Sequence, residues 1–224
     1  MRKQIVRIVI FLAGLVIMAC GIALSTRSGL GISPLNSLAY VCSVLTGAEM
    51  GYFTMLLYLV YVLLEIPIKG KSFRAADLLQ IPVAVLFGLL VNWARSLTQV
   101  IVCSNYLQQI LCTLVSIVLI AAGTVIYVIP ELVCQAPEGL ILSICSRWNL
   151  AFSTVKTGFD ITIVVLALLV GLAFSGSVIG IREGTLIAAV GVGFMTGIFN
   201  KTIRPVLAGV LNKGEKIHAS NSHG

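Results

Sequence analysis

Three stretches of the chain, residues 107–129, 161–181 and 185–200, contain no charged residue at all. A helix rises 1.5 Å per residue, and roughly 17 to 25 apolar residues carry it across the ~30 Å of a bilayer core. Uncharged runs of that order have no place on a water-facing surface. With 58% hydrophobic and 10% charged residues among 224, the rest of the chain offers no polar coat to cover them. The chain therefore reads as an all-α polytopic membrane protein. Its basic front and apolar run at 8–24 resemble a secretory signal. That run exceeds the ~7 to 15 residues of a signal core, however, and further spans follow, so it is assigned as the first span.

Six spans are expected at about 5–24, 50–66, 78–94, 107–129, 157–174 and 184–200. Two apolar segments, 33–46 and 136–148, remain outside them. Each opens on a small residue followed by proline, Ser33-Pro34 and Ala136-Pro137. Proline suits the first helical position, where the amide has no partner, and a serine before it can accept a bond from the free amides. Both segments predict helices of about 20 Å, short of a full crossing.

Charge decides whether they cross. With Arg2, Lys3 and Arg7 in the cytoplasm, the first span places Ser33 outside. Only if the short segment turns back does the next span return Lys69, Lys71 and Arg74 to the cytoplasm, as the positive-inside bias requires. The same count leaves residues 101–109 outside and brings Lys201, Arg204, Lys213 and Lys216 inside. Both short helices are thus read as re-entrant or interfacial, and both termini as cytoplasmic. The net charge of +7 gathers at span ends and gives no support to nucleic-acid binding. The six cysteines lack C-x-x-C spacing and read as small apolar packing residues.

The two halves align. Gly21 pairs with Gly123, Pro34 with Pro137 and Ser43 with Ser146, and then Gln80 with Thr185 and Gly88 with Gly193 at nearly the same offset. Each unit holds three crossings, an odd number, so tandem copies run in opposite directions through the bilayer, as in many secondary transporters. This divides the chain into repeats at 1–104 and 105–207, forming one domain, and a polar tail at 208–224 expected to be disordered and cytoplasmic.

The stretches GLGISPLNSL, LLQIPVAVLFG and APEGL, Lys156 with Asp160, and REGT before a glycine-rich last span together resemble the YczE/YyaS/YitT family of bacterial membrane proteins. That resemblance implies a multispan protein of the bacterial plasma membrane and little about mechanism. Asn92 departs from the acidic residue expected at the end of the LFG span.

Candidate binding residues follow from the two helix starts, whose free amides and positive dipole ends suit anionic groups: Ser33, Pro34 and Asn36 in the first, Pro137 and Glu138 in the second. The carboxylate of Glu138 would instead fill that pocket itself or receive a cation. Gln80 and Thr185, paired by the repeat, are candidate polar ligands between the halves, with interhelical bonding as the plainer role. Asp160 lies in an apolar run four residues after Lys156, on the same helix face, and the pair is a candidate ion-coupling site or a neutralised structural pair. Arg27, Arg95, Arg147 and Arg182, at span ends, read as interface anchors.

Both histidines, His218 and His223, lie in the tail, so neither an intramembrane zinc site nor a serine-histidine dyad is expected. The only aspartates are Asp77 and Asp160, and Asp77 lies beside the basic loop, which disfavours a paired-aspartate protease. There is no phosphate-cradling G-x-x-x-x-G-K-[ST] sequence. No catalytic residue, metal or cofactor is assigned. The expected function is gradient-driven or passive transport of a small solute. The alternative is a non-transporting membrane partner that anchors or regulates another protein, with homo-oligomer or partner contacts through its small-residue faces.

Overall fold

The computed structural model describes the backbone of residues 2–221 and the side chains of residues 4–207. Among the described residues eight α-helices follow one another: α1 Arg2–Arg27, α2 Pro34–Thr46, α3 Met50–Lys69, α4 Gln80–Leu97, α5 Tyr106–Val128, α6 Ala136–Trp148, α7 Phe152–Ser175 and α8 Glu183–Asn221. Six are long and apolar enough to cross a membrane, and the chain is a membrane protein. The short pair, α2 and α6, have 13 residues each, or about 20 Å. Each has proline in its first turn and a left-handed residue at its end, Gly47 and Asn149. The side chains of the tail at 208–224, and all of residues 222–224, lie outside the described residues.

Helix direction follows from close contacts. The α1 and α5 helices are antiparallel. Arg7 Nε donates to Pro130 O at 3.0 Å, Gly14 abuts the backbone of Tyr127, Gly21 abuts Ile120, and Gly123 abuts the backbone of Met18. A side chain at any of these three glycines would strike the neighbouring helix, so glycine is what lets the two axes approach this closely. The α3 and α4 helices are also antiparallel: Gly51 lies on Gly88, and Gly51 N donates to Asn92 Oδ1 at 2.6 Å. That bond gives Asn92 a structural role in place of the charge expected there.

These contacts show why α2 and α6 do not cross. Arg27, ending α1, donates to Arg95 O near the end of α4, and Asn92 touches the start of α3. The end of α1 and the start of α3 therefore lie at one end of the bundle, and α2 leaves and returns there. Likewise the chain after α5 meets Arg7 at the opposite end, and Tyr61, late in α3, packs edge-on against Phe159, early in α7, with ring centroids 5.2 Å apart. So α6 also begins and ends on one side. The two faces are called here the Arg95 end and the Lys69 end.

The short helices also exchange partners between halves. The α2 helix packs chiefly on α7, while α6 packs on α3. Core side chains line the α1–α5 seam and its junction with α3 and α4, including Leu15, Ile22, Val62, Phe87 and Tyr127.

Candidate functional site

The candidate residues fall into two clusters at opposite ends of the bundle. At the Arg95 end, Ser33, Pro34, Asn36 and Thr185 are all buried. The Ser33 hydroxyl does not cap the backbone of α2 and instead accepts from Asn36 Nδ2 at 2.8 Å. The expected serine cap is absent because Asn36, one turn on, supplies a better-placed donor. Ile32 N donates to Gly180 O at 3.0 Å, and Gly184 N to Leu30 O at 2.8 Å, tying the loop before α2 to the start of α8. Gly31 has φ +106, and a Cβ there would lie 2.5 Å from Thr185 Oγ1, so only glycine fits. A pocket of about 110 Å³ opens here, lined by Ser25, Thr26, Gly29, Gly31, Ile32, Tyr40, Gly180 and Arg182.

At the Lys69 end the centre is Glu65 of α3, whose side chain has no exposed surface and lies 2.6 Å from Lys69 Nζ. Lys69 also meets Asp77 at 3.1 Å. Gln80, starting α4, donates from Nε2 to Glu65 Oε2 at 2.9 Å. Ser143 of α6 lies 3.2 Å from Glu65 Oε1 but only 2.6 Å from Gly139 O. Its single proton serves the nearer carbonyl first. Gly139 makes this meeting possible: a Cβ there would sit 2.8 Å from Gln80 Oε1 and 3.0 Å from Glu65 Oε2.

Beside this knot lie polar atoms that are buried and without hydrogen-bond partners among the described residues: Tyr61 Oη, Gln80 Oε1, Tyr127 Oη, Gln135 Nε2 and Glu138 Oε2. Glu138 is within electrostatic reach of Lys156 and Asp160, and Tyr127 Oη faces it without a well-formed bond. Tyr58 donates to Gln135 Oε1 at 3.3 Å and stacks on Phe87. Lys156 holds Asp160 with both carboxylate oxygens, at 2.7 and 2.6 Å. Pro137 lies buried in the first turn of α6. Of the expected residues, Gln80, Pro137, Glu138, Lys156 and Asp160 thus gather at this end.

Sequence reasoning passed over Glu65, Tyr58, Tyr61, Tyr127 and Gln135. A usable signal was present in α3. Thr54, Tyr58, Tyr61 and Glu65 recur at helical spacing on one buried face, and Glu65 precedes Lys69 by one turn.

The chain is similar over 190 residues to an uncharacterised protein of Haemophilus influenzae, with 26% identity covering 85% of this chain and 81% of that one. It is similar over 189 residues to the uncharacterised protein YyaS of Bacillus subtilis, again 26% identical, covering 83% and 88%. The second relative bears out the resemblance drawn from the sequence. No solved structure matches significantly. The model of the family described as "Family of unknown function (DUF6198)" matches residues 5–201, and the chain belongs to that family.

Proposed function

We propose that the protein is a gradient-driven or passive transporter of a small solute in a bacterial plasma membrane, with both termini cytoplasmic and two inverted repeats at 1–104 and 105–207. The observation that carries it is the set of five unpartnered polar atoms around Glu65 and Glu138. Unpaired polar atoms and ionisable groups among spanning helices are costly, and they concentrate along solute and proton paths.

Three further features support the repeat. Shifting by 102 residues takes Gly21 to Gly123 and Met18 to Ile120, so the contact of Gly21 with Ile120 and that of Gly123 with Met18 are each other's images under a two-fold axis. Antiparallel α1 and α5 have the relation such an axis demands. The exchange of α2 onto α7 and α6 onto α3 is the same symmetry again. The Lys69 end carries Arg7, Lys69, Lys71 and Arg74, which favours its cytoplasmic placement.

The pocket at the Arg95 end, of about 110 Å³, is small beside the roughly 300 Å³ or more of drug-sized ligand sites, which favours a solute of few atoms. The partner reading is favoured by one observation only: Gly193 and Gly197 of α8 have nothing within 4 Å.

The test is purified protein screened for thermal stabilisation by small anions, amines and metabolites, then solute flux in liposomes. Glu138→Gln and Asp160→Asn are expected to abolish flux while the protein still inserts and purifies. Unchanged flux in both variants, or inertness of the wild type to every solute with stoichiometric co-purification of a second protein, would refute the proposal.

A further inference from the structure

Arg27 and Arg95 stand in the last turns of α1 and α4, which run parallel and end together. Arg27 Nη2 donates to Arg95 O at 3.3 Å, and Arg95 Nη1 donates to Ser43 Oγ at 3.4 Å. Neither guanidinium enters an ion pair among the described residues. Both Nε atoms are buried, and no group among the described residues accepts from either. The ionisable groups acting on Arg95 are Arg27, Tyr40 and Glu49, and Glu49 is exposed at the surface before α3.

Arg27 acts on Arg95 as a like charge, and such a pair is stabilised by a counter-charge. Each helix C-terminus supplies roughly half a negative charge, and the exposed Glu49 acts on Arg95 through solvent that screens it, so the two helix ends offset about one of the two positive charges and leave most of the other uncompensated. Arginine presents its N–H groups as a planar fork that matches the oxygens of phosphate or carboxylate in pairs. The two Nε–H groups, which no acceptor among the described residues satisfies, are donors still to be used.

We propose that Arg27 and Arg95 form a binding site for a singly charged oxyanion of the phosphate type at the Arg95 end; Ser43, whose own proton goes to Ala48 O at 2.7 Å, only positions the Arg95 guanidinium. The phosphate is either soluble or the headgroup of a phospholipid. The proposal does not rest on the transport reading, since a bound anion would serve a non-transporting protein equally well.

The test uses the full chain in a neutral detergent. Thermal unfolding is followed against inorganic phosphate at constant ionic strength, with gluconate as the replacement anion, and separately against phosphatidylglycerol micelles. Saturable stabilisation by phosphate identifies the soluble ligand, and stabilisation by phosphatidylglycerol alone identifies the lipid. Arg95→Gln should weaken that binding by about tenfold or more, the loss of one charge-assisted pair, and Arg27→Lys should weaken it less. Because Arg95→Gln risks misfolding, radiolabelled phosphate and native-mass lipid retention are also measured on the wild type. Absence of saturable binding to either probe, or equal stabilisation by gluconate, would overturn the site. So would a folded Arg95→Gln protein that binds as tightly as wild type.

Discussion

Replacing Glu65 by leucine removes one partner of a buried ion pair together with the acceptor of Gln80 Nε2. Breaking such a pair costs about 3 to 5 kcal/mol when the remaining charge is stranded. Lys69 is not fully stranded: its side chain keeps 25% exposure and holds Asp77 at 3.1 Å, which moves the cost to the lower limit. Gln80, which is 3% exposed, loses a partner at about 1 to 3 kcal/mol, and the leucine recovers part of this by apolar contact. The net expectation is about 3 kcal/mol. Unfolding entropy near 2.1 cal/mol/K per residue gives about 0.5 kcal/mol/K for a chain of this length, so the melting temperature should fall by about 6 °C. Glu65→Gln keeps an acceptor for Gln80 and should fall by about half as much. Tryptophan fluorescence during thermal unfolding in detergent reads both. A leucine variant melting within about 1 °C of wild type, or above the glutamine variant, would refute the account of Glu65 as the centre of the buried knot.

Other perturbations separate close packing from open space and one face from the other. Gly14→Ala must push its Cβ into the Tyr127 backbone, and overpacking of this kind costs about 1 to 3 kcal/mol; the measured drop in melting temperature should exceed that of Gly158→Ala, where nothing lies within 4 Å. Burial beside Glu138 and Glu65 pushes the Cys134 thiol up to about 12. Because the thiolate is the reactive form, maleimide labelling of Cys134 at pH 8 should be far slower than that of a free thiol and should rise as pH climbs toward that value. A reporter fused after Lys71 should report the cytoplasm, and an external signal there would reverse the assigned orientation.

Helix positions were legible where the chain carries its own punctuation. Pro34 and Pro137 open the short helices, and Gly47 and Asn149 close them in the left-handed conformation, so their bounds could be read locally. Long helices overran the apolar runs, because Arg27 and Lys69 remain helical beyond the apolar segment. The candidate site was only half legible. A carboxylate one turn before a lysine at a span end looks like an interface charge. Glu65 is buried because Gln80 and Ser143, 15 and 78 residues away, close over it, and no local pattern carries that. Arg27 and Arg95 were read as headgroup anchors for the same reason, since their proximity is created by the parallel packing of α1 and α4.

The halves differ most where the sequence pairs Gly88 with Gly193. Gly88 is pressed against Gly51 and Met55, whereas Gly193 has nothing within 4 Å. The α3 and α4 helices pack extensively, and α7 and α8 touch at most marginally among the described residues. On the transport reading, two states related by exchanging the conformations of the repeats need α7 to close on α8 when α3 parts from α4. Leucine at position 193 would then meet no obstacle in the present state and would obstruct the other one. Gly193→Leu is therefore expected to leave the melting temperature unchanged and to slow flux, while Gly88→Leu lowers the melting temperature outright. Undiminished flux in Gly193→Leu would remove closure of α7 on α8 from the cycle, and a lowered melting temperature in that variant would show that the face is already packed.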